Sequence, residues 1–320
     1  MLDKVRVGVI GMGMMGDAHA RVISALPSAR LIACVETDES KKADLEKRFM
    51  VPVFTGTEAM YREGVDAVFI CTPDDMHTSF ILEAFEKGVK VFVEKPLSIS
   101  YSECMEIIKA RPSPKHLMVG HVLRFDPRLV SAKKLIDDGK LGELLLVNIR
   151  RSNSTFNAER IGPRCSIVWF LGIHDIDAVH WLTGQKVKKI VGVNGFKRYS
   201  PNWDYVGAHM VLENGAALTM ENHWLLPRTR INQLDAGIAI IGEKGMLDIS
   251  LESINMCFTP AEGGGTRFYD SFHQPEDING VPGGDLRLED EAFISAVLND
   301  TDMPISGEEA AEAVKVIPYL

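Results

Sequence analysis

Over residues 1–120, short apolar runs alternate with stretches of amphipathic spacing. The runs lie at 5–10, 31–35, 65–72, 90–93 and 117–119, and between them 17–26, 39–49, 77–87 and 100–111 repeat their apolar residues at helical intervals. Several of these stretches end in Gly or Pro, as helix stops do. Apolar runs of strand length separated by crossover helices predict a parallel sheet covered on both faces. After a helical stretch over 128–137 the rhythm changes. From Glu143 onward, strand-like runs follow one another through turns, which predicts an antiparallel sheet. Asn214-Gly215 between two alternating runs predicts a type I′ hairpin, and Glu243-Lys244-Gly245 separates 239–241 from 246–250 in the same manner. A helix is predicted over 167–182, and two more, over 286–298 and 307–316, follow a Gly- and Pro-rich loop over 260–284. The expectation is an α/β domain at 1–122 and an α+β domain at 123–320 whose sheet is built from hairpins.

Composition narrows the function classes. The chain has 320 residues, a length suited to two domains of ordinary size. Its 46% hydrophobic and 25% charged residues exclude the disordered, collagen-like and disulfide-scaffold classes. No run approaches the ~18 to 20 apolar residues of a membrane span, and the N-terminus enters a strand without a basic region and apolar signal core. A cytoplasmic location is expected. The five cysteines, Cys34, Cys71, Cys104, Cys165 and Cys257, are scattered and form no ligand-spaced pair, so neither disulfides nor a metal site is expected. A net charge of −9 disfavours nucleic acid and anionic membranes, both of which are bound through excess Lys and Arg, and leaves a small-molecule role.

The first strand runs directly into Gly11-Met12-Gly13-Met14-Met15-Gly16 and a helix. In such a fingerprint the first glycine makes the tight turn, the second lets a pyrophosphate approach, and the third lets the helix pack on the strand. The second strand leads to Glu36, 20 residues past Gly16, where a carboxylate can accept the ribose hydroxyls of an adenosine. Thr37, Asp38, Glu39 and Ser40 follow, with no Arg to receive a 2′-phosphate, so NAD is expected over NADP. The run at 65–72 leads into Cys71-Thr72-Pro73 and His77, and that at 90–93 into Glu94-Lys95-Pro96-Leu97, both at the carboxyl edge where open α/β sheets bind ligands.

Taken together, these motifs resemble the glucose–fructose oxidoreductase/inositol dehydrogenase/MocA family. Gly120-His121, Arg124-Phe125-Asp126-Pro127, Leu141-Gly142-Glu143 and Gly172-Ile173-His174-Asp175-Ile176-Asp177 extend the resemblance over nearly the whole chain. It implies an N-terminal Rossmann domain and a C-terminal open-faced antiparallel sheet that binds substrate and pairs into homodimers or homotetramers, with the last helices packing back toward the Rossmann domain. NAD would meet Gly11, Gly13, Met14, Met15, Gly16, Glu36, Thr37, Cys71, Thr72, Pro73, His77, Glu94, Lys95 and His121. Glu94 would lie by the nicotinamide ribose, Lys95 would contact the reacting oxygen, and His174 would exchange its proton. Arg124, Asp177 and Phe170 would face a sugar, cyclitol or sugar-derivative substrate, nucleotide sugars included. The chain stops at Pro318-Tyr319-Leu320, where family members continue their last helix.

One position departs from the family pattern. An Asp usually stands four residues before the histidine, and here Phe170 occupies that place. Asp177, at i+3 from His174, shares its helix face, whereas Asp175 does not. Proton handling is therefore expected to rest on His174 alone. A non-catalytic dinucleotide-binding regulator of the same fold is the rival reading, and retention of both Lys95 and His174 weighs against it.

Overall fold

The computed structural model describes residues 4–195, 197–230, 232–251 and 281–320, together with short strands at 257–258, 267–268 and 277–278. Two compact units are present, one within Met1–Phe125 and Ser271–Ala311, the other within Asp126–Asp270 and Glu312–Leu320. The loop expected over 260–284 lies for the most part outside the described residues.

The first unit begins with β1 (Val5–Ile10), buried except at Arg6, followed by α1 (Met14–Ala25), β2 (Ala29–Val35) and α2 (Glu39–Phe49). Next come β3 (Val53–Phe54), α3 (Thr57–Arg62), β4 (Ala67–Ile70) and α4 (His77–Glu86). The series continues through β5 (Lys90–Glu94), α5 (Tyr101–Ala110) and β6 (Leu117–Gly120). The strands form one parallel sheet in the order β3-β2-β1-β4-β5-β6, the Rossmann order. β3 and α3 were not predicted, because two and six residues carry too little periodicity to register. Helix starts follow local chemistry. Asp38 accepts from the Ser40 amide at 3.0 Å and Ser100 from the Glu103 amide at 3.5 Å.

The second unit starts with α6 (Pro127–Asp137), whose Asp126 cap accepts from the Arg128 amide at 2.8 Å. It continues with β7 (Leu144–Ser154), α7 (Thr155–Ile161), a π-helical turn at Val168–Gly172 and α8 (Ile173–Thr183). β8 (Val187–Asn194), β9 (Tyr205–Leu212), β10 (Ala217–Leu226), β11 (Leu234–Gly242) and β12 (Gly245–Ser250) complete a sheet of order β12-β11-β7-β10-β9-β8. The hairpin expectation holds for β8-β9, β9-β10 and β11-β12 but not at the centre, where β7 and β10 run parallel. The sheet is therefore mixed, though mostly antiparallel. The Asn214-Gly215 turn is also corrected: only Gly215 has positive φ, at 93°, whereas type I′ requires it at both positions. The Gly215 amide donates to Leu212 at 3.0 Å, and the Asn214 side chain accepts from the Ala216 amide at 3.0 Å.

Strand alternation gives this sheet two distinct faces. Val147, Ile149, Met210, Leu218, Met220 and Ile238 are buried on one, while Asn148, Arg150, Val191, Val193, His209 and Val211 are exposed on the other. Two closing helices follow, α9 (Gly284–Asn299) and α10 (Gly307–Val316). Although it comes late in the chain, α9 packs on α1 within the first unit. Phe293 of α9 meets Phe69 edge-on at 5.2 Å, and Phe69 stacks on Phe92 at 4.6 Å.

Candidate active site

The loop between β1 and α1 is shaped by what a side chain would strike. Gly11 has φ +89°, and a Cβ there would lie 2.8 Å from the Cys71 carbonyl. A Cβ on Gly16 would lie 1.9 Å from the Gly11 carbonyl, so close packing of helix on strand requires glycine at that position. Gly13 differs, because a Cβ there would meet nothing within 4 Å. Gly13 is also the N-cap of α1 and offers no side chain to the first amides. Open space before uncapped amides at the positive end of a helix is the cradle a pyrophosphate needs. Thr72, on the loop facing Gly11, has a buried hydroxyl with no hydrogen-bond partner among the described residues. Met14 is exposed, Met15 and Cys71 half-buried, Thr37 and Pro73 exposed.

Glu36 sits just past β2, its amide donating to Phe54 at 2.9 Å and its side chain only 10% exposed. One carboxylate oxygen accepts from the Asp38 amide at 2.9 Å, and Lys41 Nζ lies 3.4 Å from the other. These donors and acceptors fit an adenosine ribose, and the first loop fits a pyrophosphate, so the unit has the parts to hold NAD.

At the ends of β4 and β5, His77 is buried with its ring nitrogens 2.8 Å from the Pro96 carbonyl and 3.1 Å from the Thr72 carbonyl. This histidine braces the two loops against each other. The Lys95-Pro96 peptide is cis. Glu94 is 9% exposed; its Oε2 accepts from the Lys95 amide at 3.1 Å, and its Oε1 lies 3.1 Å from Nε2 of His19. His19, fully buried on α1, has its Nδ1 2.8 Å from Oδ1 of Asp290 on α9. Burial opposes charge on the His19 ring, but the charge and hydrogen bond of Asp290, with those of Glu94, outweigh it and raise its pKa to about 10. Burial raises the Glu94 carboxyl, and the His19 hydrogen bond and charge more than reverse this, leaving it below the usual carboxylate range. His121 is buried after β6, and Arg124 is buried with Nη1 2.7 Å from Glu309 of α10. The Arg124 guanidinium is thus used to hold that helix start.

In the second unit, His174 lies half-buried in the first turn of α8, directly after the π-helical turn. Phe170, inside that turn, stacks on the fully buried Trp224 at 5.4 Å. Asp175 accepts from Arg151 Nε at 2.7 Å and from Asn222 Nδ2 at 2.7 Å. Burial raises the Asp175 carboxyl, with Arg151 and Asn222 opposing. A Cβ on Gly172 would lie 2.7 Å from Asn222 Oδ1, so the helix approaches β10 there at glycine distance. Asp177 is buried on the same helix.

Residues 5–121 match the family model for an oxidoreductase family with an NAD-binding Rossmann fold, and residues 129–248 match that family's C-terminal domain model. The chain belongs to the glucose–fructose oxidoreductase/inositol dehydrogenase/MocA family. It is 27% identical to the scyllo-inositol 2-dehydrogenase (NAD(+)) of Bacillus subtilis over 85% of this chain and 84% of that one. It is 26% identical to an inositol 2-dehydrogenase of Rubrobacter xylanophilus, covering 77% and 72%. Among solved structures, scyllo-inositol dehydrogenase from Lactobacillus casei, with NAD(H) and scyllo-inositol bound, superposes with a TM-score of 0.82 at 23% identity over 99% of this chain and 96% of that one.

As a member of this family the chain is an NAD-dependent oxidoreductase, and its first unit is the NAD-binding domain. Within that unit the structure gathers Gly11, Gly13, Gly16, Cys71 and Thr72 around one loop, and His77, Glu94 and Lys95 around the next. Sequence reasoning missed His19 and Asp290. A histidine three residues past Gly16, on the buried side of α1, was a visible signal, but its partner is 271 residues away. Asp175 and Asn222 were also missed as a pair, hydrogen-bonded to each other, with Arg151 donating to Asp175 as well. Among the described residues no group of three His, Cys, Asp or Glu side chains is placed to hold a metal.

Proposed function

We propose that this oxidoreductase transfers a hydride between NAD and a hydroxyl-bearing ring carbon of a cyclitol, sugar or nucleotide-linked sugar. The observation that carries this reading is the Glu94–Lys95 unit, a buried carboxylate holding the backbone of a half-buried lysine at the carboxyl edge of a parallel sheet. Bound NAD supplies the hydride acceptor. Lys95 donates to the substrate oxygen and stabilises the negative charge that develops as its proton leaves. His174 takes that proton through its imidazole and returns it in the reverse direction. Half-buried Phe170 stacks on the fully buried Trp224, and the C–H face of a sugar ring packs well on an aromatic ring so held. Two dehydrogenase relatives that act on inositols support the substrate class.

The exposed face of the second sheet, with Val191 70% and Val193 61% exposed, supports pairing with a second copy. Cys34, Cys71 and Cys104 are free thiols, which suits a reducing cytoplasm.

The test is NADH formation, followed by absorbance, on a panel of inositols, aldoses and UDP-linked amino sugars. Turnover of at least one is expected, with Lys95→Ala losing about 10²-fold or more and His174→Ala about 10²- to 10⁴-fold while both still bind NADH. A protein that binds NADH yet turns over no member of the panel would be a dinucleotide-binding regulator instead.

A further inference from the structure

A buried chain of contacts runs from the late helix α9 to the lysine of the proposed reaction. Asp290 on α9 lies 2.8 Å from His19 on α1, His19 lies 3.1 Å from Glu94 at the end of β5, and Glu94 accepts from the Lys95 amide at 3.1 Å. His19 and Asp290 are fully buried and Glu94 nearly so. The His19 ring sits among aromatic side chains, 5.0 Å from Phe92 and 5.2 Å from Phe69, and is fully shielded from bulk solvent. A histidine needed only for packing would be cheaper as an apolar residue, since burying polar groups costs free energy unless each is paired. Here both ring nitrogens are paired with carboxylates, and the far oxygen of one carboxylate holds the Lys95 amide.

We propose that His19 and Asp290 are positioning residues for Lys95, acting through Glu94. The proposal rests on the reading of Lys95 as the group that meets the substrate oxygen. Asp290 fixes the His19 ring as a doubly protonated donor; His19 then holds Glu94 ionised and oriented; Glu94 sets the Lys95 backbone. Through this chain α9, a late segment, reaches the proposed reacting group.

The surroundings set its response to pH. From α9, Asp290, Glu289 and Asp285 face the cluster; Glu94 comes from β5, and Cys71 from the end of β4. His77 and Lys95 add positive charge toward Glu94. Burial, with the Glu94 charge second, pushes the Glu289 carboxyl well above its ordinary range. Burial likewise raises Asp290 to about 6 and is opposed by His19, so Asp290 is mainly ionised at neutral pH. The positioning form has charged His19, and it is lost as pH rises toward the His19 pKa of about 10. Asp290→Asn removes the largest attraction holding that proton, so the same loss must occur at lower pH.

The experiment uses the full-length protein and the variants Asp290→Asn and His19→Gln. For Asp290→Asn, the alkaline limb of the kcat profile should move down by about 1 to 2 pH units. For His19→Gln, kcat should fall about 10-fold or more, with the KM for NAD changed far less. Imidazole nitrogen NMR should show His19 doubly protonated at pH 8 in the unmodified chain, and the Lys95 amide resonance should follow the His19 titration. Unchanged kcat profiles in both variants, or a Lys95 amide that ignores the His19 titration, would overturn the proposal. If the unmodified chain turns over no polyol, the proposed reaction is wrong, and the amide titration still decides whether His19 positions Lys95.

Discussion

At the scale of a single side chain, the proposed preference for NAD rests on Glu36. Its carboxylate is nearly buried and bonded to the Asp38 amide, so a 2′-phosphate would meet the Glu36 carboxylate with the exposed Asp38 beside it. Lys41, which the sequence reading did not weigh, softens this repulsion from 3.4 Å. NADH should therefore bind tighter than NADPH by about 10- to 100-fold, and Glu36→Ala should narrow that gap by about 10-fold, at ~1.4 kcal/mol per decade. Fluorescence titration of both nucleotides checks it, and equal affinities in the unmodified chain would remove Glu36 from the cofactor site. His77 had the same status as Glu36 in the sequence but proved to face two backbone carbonyls. A residue's place in a motif locates it beside a ligand; only its contacts show whether it is spent on the ligand or on the loop.

Two elements, one in each unit, are expected to respond differently to substitution. In α1, Gly16→Ala would force a Cβ to 1.9 Å from a backbone carbonyl that cannot move cheaply, so the variant should lose several degrees or more of melting temperature. Gly13→Ala has open space for its Cβ and should keep its melting temperature, yet it intrudes where a pyrophosphate approaches and should weaken NADH by about 10-fold. Calorimetry and NADH titration on the pair separate packing from binding; a Gly13→Ala protein that binds NADH normally would place the pyrophosphate elsewhere. In the π-helical turn before α8, Phe170 is held by its stack on Trp224. Phe170→Asp gives up that stack and restores the family's usual acid, so it should lower stability modestly while retaining or raising polyol turnover. A complete loss of turnover in a folded Phe170→Asp protein would show that the aromatic stack itself is needed.

For the molecule as a whole, the buried His19 cluster sets a pH dependence of stability. The folded-state pKa of His19, about 10, lies above its ordinary 6.5, so the stability it contributes is fully present below about 6.5 and is lost as pH rises toward 10. Asp290, raised to about 6 from 3.8, loses its contribution over that lower interval in the same direction. Urea midpoints measured at pH 7, 8.5 and 10 should fall steadily, and less steeply for Asp290→Asn; a flat profile would mean that His19 is not charged. Assembly is tested separately: Val193→Asp puts a carboxylate on the exposed sheet face, and light scattering should show a smaller species than the unmodified chain if that face pairs with a second copy.

The parallel sheet, the nucleotide loop and most helices were legible because their signals are local. Apolar runs of period two or continuous burial, helical intervals, and the spacing of Gly11 to Gly16 and of Gly16 to Glu36 each lie within about 20 residues of sequence. Tertiary structure alone decided what depends on contacts between distant segments. The parallel pairing of β7 with β10 places Arg151 opposite Asn222, and both then meet Asp175; no periodicity distinguishes a parallel neighbour from an antiparallel one. The joining of Asp290 to His19 crosses 271 residues, and the raised pKa of that histidine exists only because folding supplies two carboxylates whose charge and hydrogen bonds outweigh the burial that opposes it.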